Sequence, residues 1–315
     1  MSGPLGREER SIVEDQSPLH RAVSEVKRHW RWGREQGFNR IVEEAELHPI
    51  ARVQAGISRW QWRRRHPVKP GSALPVFVVG LQRSGTNMVI QCLQRSPEVE
   101  VHNENDRRCF VRYRLRSDDV IKEVIGQSRH RCVLLKPLCD SHRVPDLLDH
   151  LGGPVPGKAI WIYRDVDARV RSAVSKFGDV NLRVLAEIAS GGGRDRWQAQ
   201  GLSEEMLHLL GEFDYDRLSP ESAAALFWYV RNSLYFSLGL DKRDDVLLSS
   251  YERFLAAPER GVQRLCDFVG IQGHRTLGSS LDPARSRPLP PLDLDPRVRR
   301  LCDQLDERLA ASSGR

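Results

Sequence analysis

The sequence predicts an α/β fold, in which helices flank both faces of a parallel sheet. Four mostly apolar runs, at 75–79, 132–135, 159–163 and 245–248, have the length and composition of strands buried on both faces. A turn and a helical pattern follow each run, and this alternation is typical of a parallel sheet.

The first strand leads into the most informative segment of the chain, 76–86. Gly80 and Gly85 bracket a tight loop between this strand and an amphipathic helix. Unpaired N–H groups and the positive end of the helix dipole favour a phosphate-type anion there. The frame is that of a P-loop, G-x-x-x-x-G-K-[ST], but Thr86 replaces the lysine and Arg83 lies inside the loop. The sheet is therefore expected to be P-loop-like, and ATP chemistry is disfavoured.

The strand at 159–163 ends at Arg164, and a helix is predicted directly after it. The apolar residues of one helical face are Val166, Val170, Ala173, Val174 and Phe177. Ser172 follows Arg164 by eight residues and lies off that face, so we expect its hydroxyl to reach a ligand.

Four further segments complete the predicted fold. A helix is expected from Pro258 to a cap at Gly270, and a last helix carries Leu301, Leu305 and Leu309. The glycines at 191–193 interrupt two helical stretches as a loop. An extended segment precedes the last helix, where Arg285 or Arg287 is a weak candidate for a phosphate contact.

Three marks together resemble the sulfotransferases that use 3′-phosphoadenosine-5′-phosphosulfate (PAPS). They are the R-S-G-T loop at 83–86, the Arg164–Ser172 interval of eight, and the Y-E…P…L-x-x-F-x-G segment at 251–270. The marks occur in the family's order between residues 75 and 271. The resemblance implies transfer of a sulfuryl group from PAPS to a hydroxyl acceptor, without a metal, leaving 3′-phosphoadenosine 5′-phosphate.

The resemblance also implies roles for individual residues. Those expected to bind the phosphosulfate are Arg83, Ser84, Gly85, Thr86 and Asn87. Arg164 and Ser172 are expected to bind the 3′-phosphate. Lys136, at the end of the strand at 132–135, is expected to bridge the donor and its leaving group.

Two residues compete for the role of general base. The R-S-G-T branch, which includes the tyrosylprotein sulfotransferases, uses a glutamate about 21 residues beyond the loop arginine, and Glu104 occupies that place. The aryl and steroid branch uses a histidine two residues after the lysine, but this chain has Leu138 there. His102 is the rival base, and we favour Glu104.

Charge and composition suggest a basic extension before the catalytic part. The net charge is +7, and four of the seven tryptophans lie in the first 62 residues among arginines. A linker at 67–72 divides a helical extension, 1–70, from a sulfotransferase domain, 71–315. Packing of these tryptophans on the core is the favoured interpretation, and contact with a membrane or RNA is the alternative.

The remaining observations limit the class of protein. No apolar run is long enough to span a bilayer, and residues 1–12 lack the apolar region of a signal peptide, so a cytoplasmic location is expected. Six scattered cysteines without metal-ligand spacing indicate reduced, buried thiols.

The alternative functions are a P-loop kinase and a basic nucleic-acid- or membrane-binding protein. The acceptor, a small molecule or glycan, and the oligomeric state stay open.

Overall fold

A computed structural model describes residues 58–151, 155–272, 275–278, 281 and 289–313. Its central sheet has five parallel strands, in the spatial order β2-β5-β1-β6-β7. The strands of this sheet are β1 (Leu74–Gly80), β2 (Val99–His102), β5 (Cys132–Leu135), β6 (Lys158–Tyr163) and β7 (Val246–Ser250). A separate hairpin pairs β3 (Phe110–Val111) with β4 (Arg114–Leu115).

Helices connect and cover the strands. In chain order they are α1 (Thr86–Leu93), α2 (Asp118–Gln127), α3 (Val144–Leu151), α4 (Val166–Phe177), α5 (Val180–Ala189), α6 (Glu204–Gly211), α7 (Pro220–Ser237), α8 (Tyr251–Ala256), α9 (Pro258–Val269) and α10 (Pro296–Ser312). Short 3₁₀ segments lie at Leu138–Arg143, Leu240–Lys242 and Arg275–Gly278. The predicted α/β fold with a parallel, P-loop-like sheet is confirmed.

The four strands predicted from apolar runs are all present, as β1, β5, β6 and β7. Consecutive side chains of these strands enter opposite cores: Phe77 and Trp161 pack on the side of α4 and α7, whereas Val76 and Ile160 pack on the side of α1 and α9. Because both faces are covered, these strands need apolar residues at every position, which is the pattern their sequences show.

The helices predicted after the third and fourth strands also form. The Asp165 side chain caps α4 by accepting a hydrogen bond from the Ala168 N–H at 2.8 Å. Gly270, in the left-handed conformation with φ of 72°, ends α9. The loop with glycines at 191–193 separates α5 from α6, and α10 buries Leu305 and Leu309.

The predicted N-terminal extension lies mostly outside the described residues, as do Arg285 and Arg287. Residues 58–65 are helical; the Trp62 ring stacks on His130 with centroids 6.4 Å apart, whereas Trp60 is 51% exposed. Residues from Arg59 onward form one compact unit, and a domain boundary near residue 70 stays a prediction. No helix in the described part of the chain has the length and apolarity to cross a membrane.

Candidate active site

The predicted site residues lie at the carboxyl ends of the parallel strands. The loop after β1 carries Arg83, and the residues after β2 and β5 include Glu104 and Lys136. Arg164 directly follows β6, and Tyr251 directly follows β7. Since the carboxyl ends of parallel strands share one edge, the sheet places all five segments at that edge.

The loop between β1 and α1 depends on its two glycines. Gly80 has φ of 128°, and a Cβ there would lie 2.2 Å from the carbonyl oxygen of Ile162 on β6. Gly85 has φ of 93°, and a Cβ there would lie 2.2 Å from the Tyr251 ring. Arg83 also adopts a left-handed conformation, with φ of 70°, although it is not glycine. Only this sequence of unusual dihedrals turns the chain tightly enough to start α1 at Thr86.

The N-terminus of α1 is suited to an anion. Gly85 provides no side-chain cap, and the first turn contains no acidic residue. The N–H groups at the start of the helix and the helix dipole are therefore available to a negatively charged group. The Ser84 N–H donates to Leu81 O at 3.2 Å, and the Ser84 side chain is fully buried. The Ser84 hydroxyl has no hydrogen-bond partner among the described residues.

Arg83 meets Arg164 and Ser172, which follow it by more than eighty residues, beside this loop. The Nε of Arg83 donates to the Ser172 hydroxyl at 2.9 Å, and a guanidinium nitrogen of Arg164 lies 3.4 Å from the Arg83 carbonyl oxygen. Ser172 therefore extends from α4 toward the loop, as its position off the apolar face predicts. The arrangement concentrates two guanidinium groups and a hydroxyl next to the uncapped helix terminus.

Tyr251 and Glu252 hold Arg164 in place, a role that the sequence analysis did not assign to them. The Arg164 guanidinium stacks over the Tyr251 ring at 4.7 Å, and its Nε lies 3.7 Å from a Glu252 carboxylate oxygen. That Nε is buried and makes no hydrogen bond to any described residue. Glu252 accepts a hydrogen bond from the Asp165 N–H at 3.1 Å, and burial raises the pKa of its carboxyl. The sequence signal available was the proximity of Tyr251 to a strand end.

The tryptophans of β6 and α7 are core residues. Trp161 and Trp228 are 1% and 0% exposed. The Trp228 indole N–H donates to the Arg164 carbonyl oxygen at 2.8 Å, so this core residue fixes the backbone from which Arg164 extends.

A second cluster forms around Lys136. Its side chain is nearly buried, and Nζ donates to Asn87 Oδ1 at 2.6 Å and lies 3.4 Å from a Glu104 carboxylate oxygen. Asn87 belongs to the first turn of α1, so this cluster adjoins the loop between β1 and α1. A lysine and a carboxylate thus lie side by side at the carboxyl edge of the sheet, and the lysine contacts the first turn of α1.

His102 lies outside that cluster. It is fully buried, its Nδ1 lies 2.8 Å from an Asp106 carboxylate oxygen, and its Nε2 lies 3.4 Å from Glu100. Burial alone would lower the pKa of His102, but hydrogen bonds to Cys109, Glu100 and Asp106 outweigh burial and raise it to about 10. A buried imidazolium held by two carboxylates is a poor acceptor for a substrate proton at neutral pH.

The described residues contain no group of three or more His, Cys, Asp or Glu side chains arranged to hold a metal ion.

Several solved sulfotransferase structures are similar to this chain. A sulfotransferase from Alicyclobacillus acidocaldarius is 16% identical, with a TM-score of 0.45 over 79% of this chain and 97% of that one. The sulfotransferase domain from the curacin biosynthetic pathway is 16% identical, with a TM-score of 0.43 over 75% and 99%. Mouse sulfotransferase SULT7A1, solved in complex with PAP, is 12% identical, with a TM-score of 0.41 over 80% and 88%. No curated protein sequence matches the chain with significant similarity.

The family model for the sulfotransferase domain matches residues 74–282, which is more than half of the chain. The matched range begins at β1 and contains both clusters of site residues described above. The chain therefore belongs to the sulfotransferase family and is a transferase of sulfuryl groups.

Proposed function

We propose that the protein transfers a sulfuryl group from PAPS to a hydroxyl acceptor, without a metal ion. The observation that supports this most directly is the meeting of Arg83, Arg164 and Ser172 beside the uncapped N-terminus of α1. Two guanidinium groups and free helix N–H groups match a donor that carries one phosphate at the 5′ position and another at the 3′ position.

The unsatisfied polar atoms of the site support the same donor. The Ser84 hydroxyl and the Arg164 Nε are buried and lack hydrogen-bond partners among the described residues. Buried polar atoms of this kind are costly unless a ligand pairs with them. In this proposal the loop from Arg83 to Asn87 holds the phosphosulfate, and Arg164 with Ser172 holds the 3′-phosphate.

The chemistry then divides among three side chains. When bound, PAPS supplies the sulfuryl group and 3′-phosphoadenosine 5′-phosphate is released. Glu104 accepts the proton of the acceptor hydroxyl, while Lys136 and Arg83 balance negative charge on the leaving phosphate. Lys136 Nζ lies 3.4 Å from a Glu104 carboxylate oxygen, so in this proposal one lysine contacts both the base and the leaving group.

The acceptor in this proposal is a small molecule or glycan. A kinase function has less support, because Thr86 stands where a nucleotide kinase needs the P-loop lysine.

The assignment of the 3′-phosphate is tested by Arg164→Ala. We expect the affinity for 3′,5′-ADP to fall about 10- to 100-fold, the usual effect of losing a charge-assisted hydrogen bond, while 5′-AMP binding changes little. Isothermal titration calorimetry measures both. Arg183→Ala is the matched control, because Arg183 is an exposed arginine on α5 whose partner is Asp179. Equal losses for the two nucleotides would remove Arg164 from the 3′-phosphate site.

A further inference from the structure

The segment between Glu104 and α2 is unusually basic. Residues 107–116 include five arginines and no acidic residue. The β3–β4 hairpin occupies most of this segment, and we refer to residues 107–116 as the arginine hairpin. Neither the family motifs nor the proposed donor site uses any of these residues.

The tip of the arginine hairpin is exposed and strained. Phe110 is buried and anchors the hairpin to the core, whereas Val111 and Tyr113 are 42% and 56% exposed. Arg112 and Tyr113 form the two-residue turn, with φ of 49° and 67°. Such turns strongly favour Asn-Gly, because both residues must adopt positive φ. Strained residues of this kind cluster at functional sites, so the side chains at the tip warrant a functional explanation.

The hairpin is fixed to the turn that follows Lys136. Asp140 is almost fully buried, and its carboxylate accepts hydrogen bonds from Arg114 Nε at 2.7 Å and from the Leu115 N–H at 2.8 Å. The Arg114 guanidinium also donates to Gln200 at 2.7 Å. The Asp140 N–H in turn donates to Pro137 O at 3.0 Å, one residue after Lys136.

At its other end the hairpin continues from the turn that carries Glu104. The Asp106 N–H donates to Asn103 O at 2.7 Å, and the Phe110 N–H donates to Asp106 O at 2.9 Å. Both ends of the hairpin are thus tied to segments that hold the proposed base and the site lysine. The hairpin is therefore positioned to present its tip to a molecule whose hydroxyl reaches Glu104.

The five arginines differ in their partners. Arg108 pairs with Asp106, Arg114 pairs with Asp140, and Arg116 donates to a backbone oxygen. The Arg107 and Arg112 side chains are exposed and form no hydrogen bond or ion pair with any described residue. Two unpaired guanidinium groups on one short segment, one of them next to an exposed tyrosine in the turn, can bind an anion and the apolar group attached to it.

We propose that the arginine hairpin binds an anionic group of the acceptor, a carboxylate, sulfate or phosphate, while Tyr113 covers the adjacent ring or chain. The inference rests on the proposed function and specifies its acceptor: a hydroxyl compound that already carries negative charge. Arg107 and Arg112 bind the anion, and the rigid attachment through Asp140 sets its distance from the reacting hydroxyl.

The decisive variant is Arg112→Asn/Tyr113→Gly. Asn-Gly is the preferred sequence for this turn, so the double substitution keeps the hairpin and relieves its strain. It also removes the guanidinium group and the phenol ring from the tip. Arg65→Asn removes the same charge from an exposed site on the helix at 58–65 and serves as the matched control.

The probe is pyranine, a fluorescent pyrene that carries one hydroxyl and three sulfonate groups. Its binding is measured by fluorescence anisotropy on the full chain saturated with 3′,5′-ADP, and hydroxypyrene is its uncharged counterpart.

We expect pyranine to bind wild type at least tenfold more tightly than hydroxypyrene. Arg112→Asn/Tyr113→Gly should weaken pyranine binding about tenfold and raise Tm by a few degrees, and Arg65→Asn should change binding less than twofold. Displacement of pyranine by para-hydroxybenzoate and by para-hydroxyphenyl phosphate distinguishes a carboxylate preference from a phosphate preference.

Three results would overturn the proposal: no pyranine binding, equal binding of the uncharged probe, or equal loss in the control variant. Each result is independent of the donor assignment, because 3′,5′-ADP binding is measured separately in every variant. A chain that binds pyranine through the hairpin but does not prefer 3′,5′-ADP to 5′-AMP would contradict the proposed donor and leave the hairpin site standing.

Discussion

At the scale of single residues, two carboxylates lie beside cations of the site in different surroundings. Glu104 is half-buried and lies 3.4 Å from Lys136 Nζ. Glu252 is held by the Asp165 N–H and lies 3.7 Å from Arg164. Its hydrogen bond to the backbone fits a positioning role, whereas Glu104 fits a role in proton transfer.

Substitution of Glu104 tests that difference. Glu104→Gln keeps the size and hydrogen-bonding shape of the side chain but removes its basicity, so kcat should fall by about 10²- to 10⁴-fold. Affinity for 3′,5′-ADP should be unchanged, because no proposed nucleotide contact is lost. Steady-state kinetics with any acceptor that wild type sulfates measures the effect. A nearly wild-type kcat would exclude Glu104 as the base.

The family resemblance implied which residues share a site, but it did not indicate what surrounds them. The interval between Arg164 and Ser172 led to the expectation of a shared site, and Arg83 indeed contacts both. The contact of Tyr251 with Gly85 and Arg164 was missed, because it joins segments more than eighty residues apart and no local pattern encodes it.

At the scale of elements, the loop between β1 and α1 depends on close packing against α8. The space next to Gly85 is filled by the Tyr251 ring, which in turn stacks on Arg164. The loop, α8 and Arg164 therefore form one packed unit. A change in the loop should consequently alter the position of Arg164 and weaken binding at the proposed 3′-phosphate site.

Gly85→Ala tests this packing. The added Cβ would lie 2.2 Å from the Tyr251 ring and would require positive φ, so the ring must move away from Arg164. We expect a loss of about 1–3 kcal/mol in stability, together with weaker 3′,5′-ADP binding. Urea denaturation and calorimetry give the two quantities. Gly126→Ala is the control, since a Cβ at Gly126 meets no atom within 4 Å and its φ is not left-handed. Unchanged nucleotide affinity in Gly85→Ala would show that the packed unit does not transmit the change.

Elements were predictable where local pattern and tertiary environment agree. The buried strands β1, β5, β6 and β7 have continuous apolar runs, and α9 has both a proline start and a glycine cap. Strand β2 was not predicted, because Glu100 interrupts its apolar pattern. In the structure, the Glu100 carboxylate pairs with His102. The β3–β4 hairpin was not predicted, since Arg112 and Tyr113 give none of the usual signals for a tight turn.

At the scale of the whole molecule, the parallel sheet divides two apolar cores and gathers charge at one edge. A buried ionic group lies near that edge, where His102 is held between Glu100 and Asp106. Burial alone would raise the pKa values of both carboxyls, but hydrogen bonds from His102 and Ser128 lower that of Glu100 to about 2, and hydrogen bonds from Arg108 and His102 lower that of Asp106 to about 2. Burial alone would lower the pKa of His102, but its hydrogen bonds raise it to about 10.

These shifts predict how global stability depends on pH. The pKa of His102 is raised from its usual 6.5 to about 10, so its contribution is complete below pH 6.5 and is lost as pH rises through 10. The carboxyls have lowered pKa values, so their contribution is lost as pH falls from 4 toward 2. His102→Gln should therefore lower stability most at pH 6, and the difference from wild type should shrink toward pH 10.

Urea denaturation midpoints across this pH range measure the effect. His208→Gln is the control, because His208 is exposed on α6 and its only described ion-pair partner is Glu212 in the next turn. A deficit in His102→Gln that is constant from pH 6 to pH 10 would show that the imidazole stabilises the fold by packing and not through its charge.

The burial of every cysteine makes the protein suitable for site-specific labelling. All six thiols are buried, and burial raises the pKa of Cys92 to about 12 and that of Cys266 to about 11. Burial therefore shields these thiols from reagents such as maleimides, and at Cys92 and Cys266 the reactive thiolate is scarce near neutral pH. Ser117 is exposed between the arginine hairpin and α2, and its side chain does not cap that helix. Ser117→Cys consequently offers a single accessible attachment point for a fluorophore, without removal of any native cysteine. The fluorescence of a label at this position would then report the binding of an acceptor in real time.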